Sequence, residues 1–414
     1  MRVEKKVLVI AYDYPPLGGG GVFRTLKFTK YLPRFGFKPY VLTIKTSTYH
    51  AWDPTLLKEV PPEAKIIRTF SLEHKLFEKP FSVLRTTSKW IFTPDLNIGW
   101  LPFAVRRGKQ VIEKEGIDVI YATAPIYTSL LIGCLLKRKT RKPLVVDFRD
   151  PWTQNVFIKY PTKFHKRIEE KMEKFVLITA DHIITATESM KLKLIEKYPF
   201  TKGKCTTITN GFDPEDFRGL VRRPKGEKFT ITFTGYLYGL RTGKYFLFAI
   251  KELVKEEKGL ENKIQVVFAG PKSIETEQLA KRLGLQDMIN FVGYVSHQES
   301  LKFMVDSDVL LLIIAPEEPY TYTTKLFEYL GTKRSILALI PPQGIAANLV
   351  KSTHSGVVVP PTDMKFIKQA ILKLFQEWER GELEMIQSDV SEYDRKVLTE
   401  KLAKVFQQVY SKHE

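Results

Sequence analysis

The chain predicts an α/β fold of two doubly wound parallel-sheet domains. Three observations carry that expectation. Short apolar strands alternate with helix-period stretches twice over, as crossover connections between parallel strands require. At 414 residues the chain is too long for one ordinary core. Between the two series stands the turn-forming cluster Asn210-Gly211-Phe212-Asp213-Pro214, followed by the polar run 222–226. Such punctuation marks a domain boundary.

In the first half, strands are expected at 6–11, 39–44, 119–122, 143–148, 182–186 and 205–208. Each is a short apolar run bounded by Gly, Pro or polar residues. Amphipathic helices are expected at 23–34, 103–114 and 163–178. The apolar run 130–136 has the length of either a core strand or a core helix. The second half restarts with strands at 229–234, 265–269, 289–292, 309–314, 336–339 and 356–359, and helix-rich sequence follows Pro361, with 396–410 at helical spacing. The boundary is placed at 218/219. Paired open parallel sheets hold ligand at the carboxyl ends of their strands, so an interdomain cleft is the expected site.

Composition narrows the class. Hydrophobic content of 43% is a globular value. The cysteines Cys134 and Cys205 lack metal-ligand spacing, and a reduced, cytoplasmic compartment is expected. The N-terminal apolar run 7–11 is too short for a secretory leader, and no stretch is long enough to cross a bilayer. The net charge of +19, from 65 basic and 46 acidic residues, implies an anionic partner: nucleic acid, a phosphorylated substrate or an acidic membrane face.

The first strand runs into Asp13-Tyr14-Pro15-Pro16-Leu17-Gly18-Gly19-Gly20-Gly21 before a helix. Glycines let backbone N–H groups approach an anion, and the helix adds its dipole. Arg24 on the first helical turn offers a charge-assisted bond to the same anion. This is neither the dinucleotide fingerprint nor a Walker loop. Next, Val146-Asp147-Phe148-Arg149-Asp150-Pro151-Trp152 places Arg149 and Asp150 at a strand's carboxyl edge. There they bind a ligand or form an internal network, and Trp152 stacks on a sugar or covers the core.

In the second half, 233–244 is again strand, glycine loop, helix, with Gly235 in the loop and Arg241 and Lys244 near the helix start, an arrangement that suits a diphosphate. Tyr294 follows Gly293 at another strand end. The most informative stretch is Thr323-Thr324-Lys325-Leu326-Phe327-Glu328-Tyr329-Leu330-Gly331. The threonines offer N-cap oxygens, and Gly331 stands where a short helix can end. Lys325 and Glu328 share a face at the helix's positive end. They form a weak surface ion pair, or else a cation for phosphate and a carboxylate for sugar hydroxyls. No His/Cys/Asp constellation has metal-ligand spacing.

In this order the pieces resemble a family-four glycosyltransferase with the GT-B fold, two Rossmann-like domains facing a cleft. The motifs that carry the resemblance are Pro-Pro-x-Gly-Gly, Asp-Phe-Arg-Asp-Pro-Trp, Asn-Gly-Phe-Asp, the Phe-x-Gly loop with Arg and Lys, Phe-Ala-Gly-Pro, Phe-Val-Gly-Tyr and Thr-Lys-Leu-Phe-Glu-Tyr-Leu. The resemblance spans essentially the full chain. It implies an acceptor domain at 1–218 completed by a returning helix at 391–414, and a donor domain at 219–390. It implies a hexosyltransferase that retains anomeric configuration, takes a nucleotide-sugar donor and needs no metal or other cofactor.

On the same footing Arg241 and Lys244 or Lys325 would neutralise the leaving diphosphate, and Glu328 would hold the ribose. Tyr294 would lie by the base, with Leu326 and Gly235 at the donor. Gly19 and Gly20 would face the donor phosphates, and Asp150 would orient the acceptor or act as base beside Arg149 and Trp152. Relatives commonly carry a second glutamate that here falls at Tyr320; the nearest carboxylates are Glu317 and Glu318. The Lys-Leu-Phe-Glu variant resembles enzymes of bacterial surface-polysaccharide assembly. That implies a glycan or polyprenyl-linked acceptor, an anionic membrane surface as further partner, and a peripheral place on the inner face of the cell membrane. A GT-B-type nucleotide-sugar epimerase is the alternative enzyme. A basic nucleic-acid-binding protein is disfavoured because the charges are spread over helices throughout.

Overall fold

The computed structural model describes residues 4–45, 52–72, 90, 92–155, 158–224, 226–383, 386 and 388–413; Lys225 of the polar run lies outside them. Two compact units are present, Met1–Asn210 with Arg395–Glu414, and Gly211–Asp394.

The first unit contains β1 (Lys5–Ile10), α1 (Gly20–Tyr31), β2 (Phe37–Ile44), β3 (Lys65–Thr69), α2 (Leu101–Glu115), β4 (Val119–Thr123), α3 (Tyr127–Thr140), β5 (Leu144–Phe148), α4 (Lys163–Thr179), β6 (His182–Thr185), α5 (Glu188–Lys197) and β7 (Cys205–Thr207). Its described strands pair in parallel in the order β3-β2-β1-β4-β5-β6-β7. β4 and β5 are buried throughout, so they read as unbroken apolar runs rather than alternating ones. The ambiguous run 130–136 is helical, within α3. Its residues are buried almost all round, which erases the amphipathic signal that separates helix from strand. β3 was not expected. It is an edge strand with only Thr69 fully buried, and lysine and arginine interrupt its apolar residues.

The second unit holds β8 (Phe229–Thr234), α6 (Lys244–Glu256), β9 (Ile264–Ala269), α7 (Ile274–Arg282), β10 (Ile289–Gly293), α8 (His297–Asp306), β11 (Val309–Ile313), α9 (Thr324–Thr332), β12 (Ser335–Leu339), α10 (Ile345–Ser352), β13 (Gly356–Val359) and α11 (Met364–Arg380). The order of this parallel sheet is β10-β9-β8-β11-β12-β13. The last helix, α12 (Arg395–Ser411), belongs to the first unit. Its Phe406 is fully buried and meets Phe37 and Tyr121 edge-on at 5.4 and 5.5 Å. Among the described residues no helix is long and apolar enough to cross a membrane.

The division falls at 210/211 and 394/395, whereas the expectation was 218/219 and 390/391. Two contacts place the difference. Phe212 donates its N–H to the Tyr393 carbonyl at 3.0 Å and bridges to Asp394. Phe212 and Phe217 also press on α9 at Gly331, where an added Cβ would lie 2.7 Å from both rings. Gly331 therefore does not end the helix, as the sequence suggested. α9 runs on to Thr332, and Lys333 takes the left-handed cap at φ 60.

Each sheet reverses its winding at one place, between β1 and β4 and between β8 and β11. In open α/β sheets ligands settle outside the carboxyl ends of strands at such a switch point.

Helix propensity alone would let Gly331→Ala gain about 1 kcal/mol. Contact with the two rings predicts the opposite sign, a loss of about 1–3 kcal/mol from overpacking. Denaturant unfolding of this unit measures which term wins.

Candidate functional site

The second unit gathers its chemistry at the β8/β11 switch point. β8 runs into Gly235, whose φ of +96 is readily available only to glycine. The reason for glycine is also steric: a Cβ there would lie 2.1 Å from Cε of Lys325. Lys325 stands in the first turn of α9, which Thr323 caps by accepting the Leu326 N–H at 3.3 Å. Its stem therefore crosses over Gly235 and sets Nζ 5.3 Å from the centroid of the Phe233 ring.

Among the described residues Lys325 forms no hydrogen bond or ion pair. Burial first, and then the Arg241 guanidinium, push its ammonium down to about 8 against the pull of Glu328. A half-buried cation without a counter-ion, at the positive end of a helix, is arranged for an anion.

Arg241 is held differently. Its Nε donates to Glu318 Oε2 at 2.7 Å, its Nη2 bonds the other carboxylate oxygen, and Nη1 reaches the Tyr238 hydroxyl at 3.2 Å. The Glu318 side chain is only 2% exposed and also accepts the Ala315 N–H at 3.3 Å. Glu328 does not pair with Lys325. Its Oε1 lies 3.1 Å from Nε2 of His297, the first residue of α8.

The ion-pair alternative for Lys325 and Glu328 thus gives way to two separate groups on one helical face. Beside them, Phe233, Gly235, Phe268, Gly270, Lys272 and Phe291 line a shallow, open depression. Phe268 and Phe291 stack there at 5.1 Å. Tyr294, half-exposed, follows β10 through Gly293.

Two further donor-side candidates stand apart from this group. Lys244 opens α6. It is exposed, and its ammonium lies over Tyr245 and Phe248 of its own helix at 5.7 and 5.9 Å. Leu326 has a fully buried side chain, and its N–H is taken by the Thr323 cap.

In the first unit, an open depression lies at the β1/β4 switch point, lined in part by Asp13, Gly21, Thr25, Thr123 and Arg149. Gly19 caps α1 at φ 87. Arg149 fastens the glycine loop, donating to the Gly20 carbonyl at 3.0 Å and to that of Gly21. Burial pushes the Asp13 carboxyl up in spite of Arg149.

Asp150 is exposed on the loop after β5. Arg24, expected at an anion, is 1% exposed and committed to Asp147 through Nε at 2.8 Å and Nη2 at 2.9 Å. It also donates to the Ile208 and Thr209 carbonyls at 2.9 and 2.7 Å. Burial raises the Asp147 carboxyl, but Arg24 and the Tyr121 hydroxyl outweigh it and the net shift is downward. Trp152 resolves its own alternative. At 1% exposed it stacks on Tyr127 at 4.5 Å and donates its indole N–H to Glu169 at 2.9 Å, so it covers the core.

Sequence reasoning missed His297 and the roles of Asp147 and Glu318 as counter-ions. Only His297 had a readable signal: Ser296 and Glu299 form a capping box that starts α8 at this residue.

Comparison with known proteins is consistent across the chain. Residues 18–216 match the model described as Glycosyltransferase Family 4, and residues 228–377 match Glycosyl transferases group 1. The phosphatidylinositol N-acetylglucosaminyltransferase gpi3 subunit of Schizosaccharomyces pombe is 23% identical over 146 residues, covering 35% of this chain and 31% of that protein. D-inositol 3-phosphate glycosyltransferase 2 of Catenulispora acidiphila is 27% identical over 151 residues, 33% of this chain and 35% of that one. The chain thus spans about a third of the length of these curated relatives. Among solved structures, a glycosyltransferase from Rickettsia africae superposes with TM-score 0.69 at 16% identity, with 98% of each chain covered. An alpha,alpha-trehalose-phosphate synthase from Burkholderia xenovorans gives 0.66 at 10% identity, covering 97% of this chain and 100% of that one. These likenesses show the fold.

Nuclear magnetic resonance of labelled lysines should find one amine, absent in Lys325→Arg, that titrates near 8. Arg241→Gln should move it upward, because a neighbouring cation is removed. Asp147→Ala, which strands Arg24 in the core, should cost about 3–5 kcal/mol in a chemical denaturation curve. The depressed Asp147 carboxyl contributes stability that is present above its ordinary unfolded value and lost as pH falls through the folded one. Asp147→Asn should flatten that acid-side slope.

Proposed function

We propose that the chain is a glycosyltransferase of the family-four type, which moves a sugar from a nucleotide-sugar donor to a hydroxyl of a glycan or polyprenyl-linked acceptor, with retention of configuration. One observation carries the reading: Lys325, a half-buried cation with no counter-ion among the described residues, crosses Gly235 at the switch point of the second sheet. A diphosphate supplies the missing charge. The transition state strengthens the contact, since negative charge grows on the leaving oxygen as the glycosidic bond breaks.

Arg241 is the second cation. To meet a phosphate it must exchange Glu318 for the ligand. Glu328 accepts the ribose hydroxyls, with His297 fixing its carboxylate, and Tyr294 lies against the base. These residues neutralise the diphosphate without a metal. Retention without an enzymatic nucleophile calls for attack on the same face as departure, with the leaving phosphate oxygen taking the acceptor's proton. Asp150 orients that hydroxyl. The place of such a reaction is the assembly of cell-surface polysaccharide, at the inner face of the membrane.

Calorimetric titration with nucleoside diphosphates tests the donor side. Affinity should be level below pH 8 and fall above it as Lys325 loses its proton. Glu328→Ala should weaken binding by about 1–3 kcal/mol, the usual effect of losing a charged hydrogen-bond partner. Arg241→Ala should lower kcat more than it raises KM. Incubating donor sugars without acceptor separates the epimerase alternative: an epimer formed at turnover rates would overturn the transfer reading.

A further inference from the structure

Helix α4 sorts its charges by sign. Glu169 and Glu173 turn inward and are 5% and 2% exposed, where they hold the Trp152 indole and the Tyr198 hydroxyl, each at 2.9 Å. Glu170 lies 3.8 Å from Lys197. Every fully exposed residue of the helix is basic or apolar.

Phe164, Arg167, Lys171, Lys174 and Ile178 recur at alternating spacings of three and four, which places them on one stripe. The two apolar ends, 67% and 58% exposed, stand about 21 Å apart at the helical rise. Arg167, Lys171 and Lys174 make no ion pair or hydrogen bond among the described residues. Beside the stripe, Arg138 of α3 lies over the Phe175 ring at 5.5 Å. Exposed Trp90 meets His165 near the helix's start at 5.6 Å.

A merely solvated helix intersperses acids among its bases for three- and four-apart pairs. Here two of the three acids are buried and the third, Glu170, with its side chain 36% exposed, lies toward Lys197, and two large apolar groups are left in line with three cations that make no ion pair among the described residues. Nucleic acid matches the charge but not the apolar ends. We propose that α4 is a membrane-docking helix. It lies in the headgroup layer of an anionic bilayer, its cations among the lipid phosphates and Phe164 and Ile178 in the acyl boundary. The proposal stands apart from the chemistry of sugar transfer. Together with that reading, it brings the first unit to the surface where a polyprenyl-linked acceptor resides.

The test is co-sedimentation of the full chain with vesicles of phosphatidylcholine alone and of phosphatidylcholine with phosphatidylglycerol in equal parts. Binding is expected only to the mixed vesicles. Replacing Arg167, Lys171 and Lys174 by Gln should weaken it about a hundredfold. The same change at Lys251, Lys255 and Lys258, exposed in the second unit, should leave it nearly unchanged. Phe164→Ser with Ile178→Ser should weaken it about tenfold. Should the first glutamine set unfold, as read by circular dichroism, added salt on the parent chain must release it from the vesicles instead. Failure to bind mixed vesicles, equal loss in both glutamine sets, no effect of the serine pair, or salt-resistant binding each overturn the proposal.

Discussion

The close passage of Lys325 over Gly235 is the constraint on which the rest of the second unit depends. A side chain at position 235 would occupy the space of the lysine stem, and the backbone there already takes a conformation that other residues adopt only with strain. The parallel sheet supplies the setting. β8 and β11 are neighbours whose connections leave in opposite directions, so the glycine loop after β8 and the first turn of α9 meet at one edge. The cation is then half-buried before any ligand arrives, and its depressed affinity for a proton reflects that burial.

Charge is handled in two contrasting ways. Arg24 is buried with its counter-ion, Asp147, and with backbone carbonyls that use its remaining donors. Such a pair is complete. It orders the junction of α1 with the sheet and has nothing left to offer a ligand, and breaking it strands a charge in the core. Lys325 is incomplete. Arg241 lies between these cases, paired with Glu318 yet placed near Lys325. On the proposed reading, a phosphate entering here would meet one unpaired cation and a second that must change partner.

Much of this was legible in the residues. The strand series and the glycine loops were readable because unbroken apolar runs bounded by glycine and proline are what buried parallel strands require. The Lys325–Glu328 helix was readable from its threonine cap and charge spacing. What escaped was whatever depends on partners distant in the chain. Arg24 in the first turns of α1 and Trp152 in the loop after β5 stand where the pattern permits either an inward or an outward course. Asp147, 123 positions from Arg24, and Glu169, on a helix beyond the loop, decide it. Nor does local spacing say that His297 will meet Glu328, 31 positions on. β3 escaped because edge strands carry charged residues among the apolar ones.

The central claim is that Lys325 is the cation a diphosphate completes, and proton linkage tests it most directly. An ammonium that titrates near 8 when alone must rise in pKa when a diphosphate binds beside it. Calorimetric titration of the chain with a nucleoside diphosphate at pH 8.5, in buffers of different ionisation enthalpy, measures the protons taken up. The account predicts a net uptake of up to about three quarters of a proton, since a group titrating near 8 is already about a quarter protonated at that pH, and none in Lys325→Arg, whose guanidinium stays charged. Binding without proton uptake, or uptake that survives in Lys325→Arg, would contradict it.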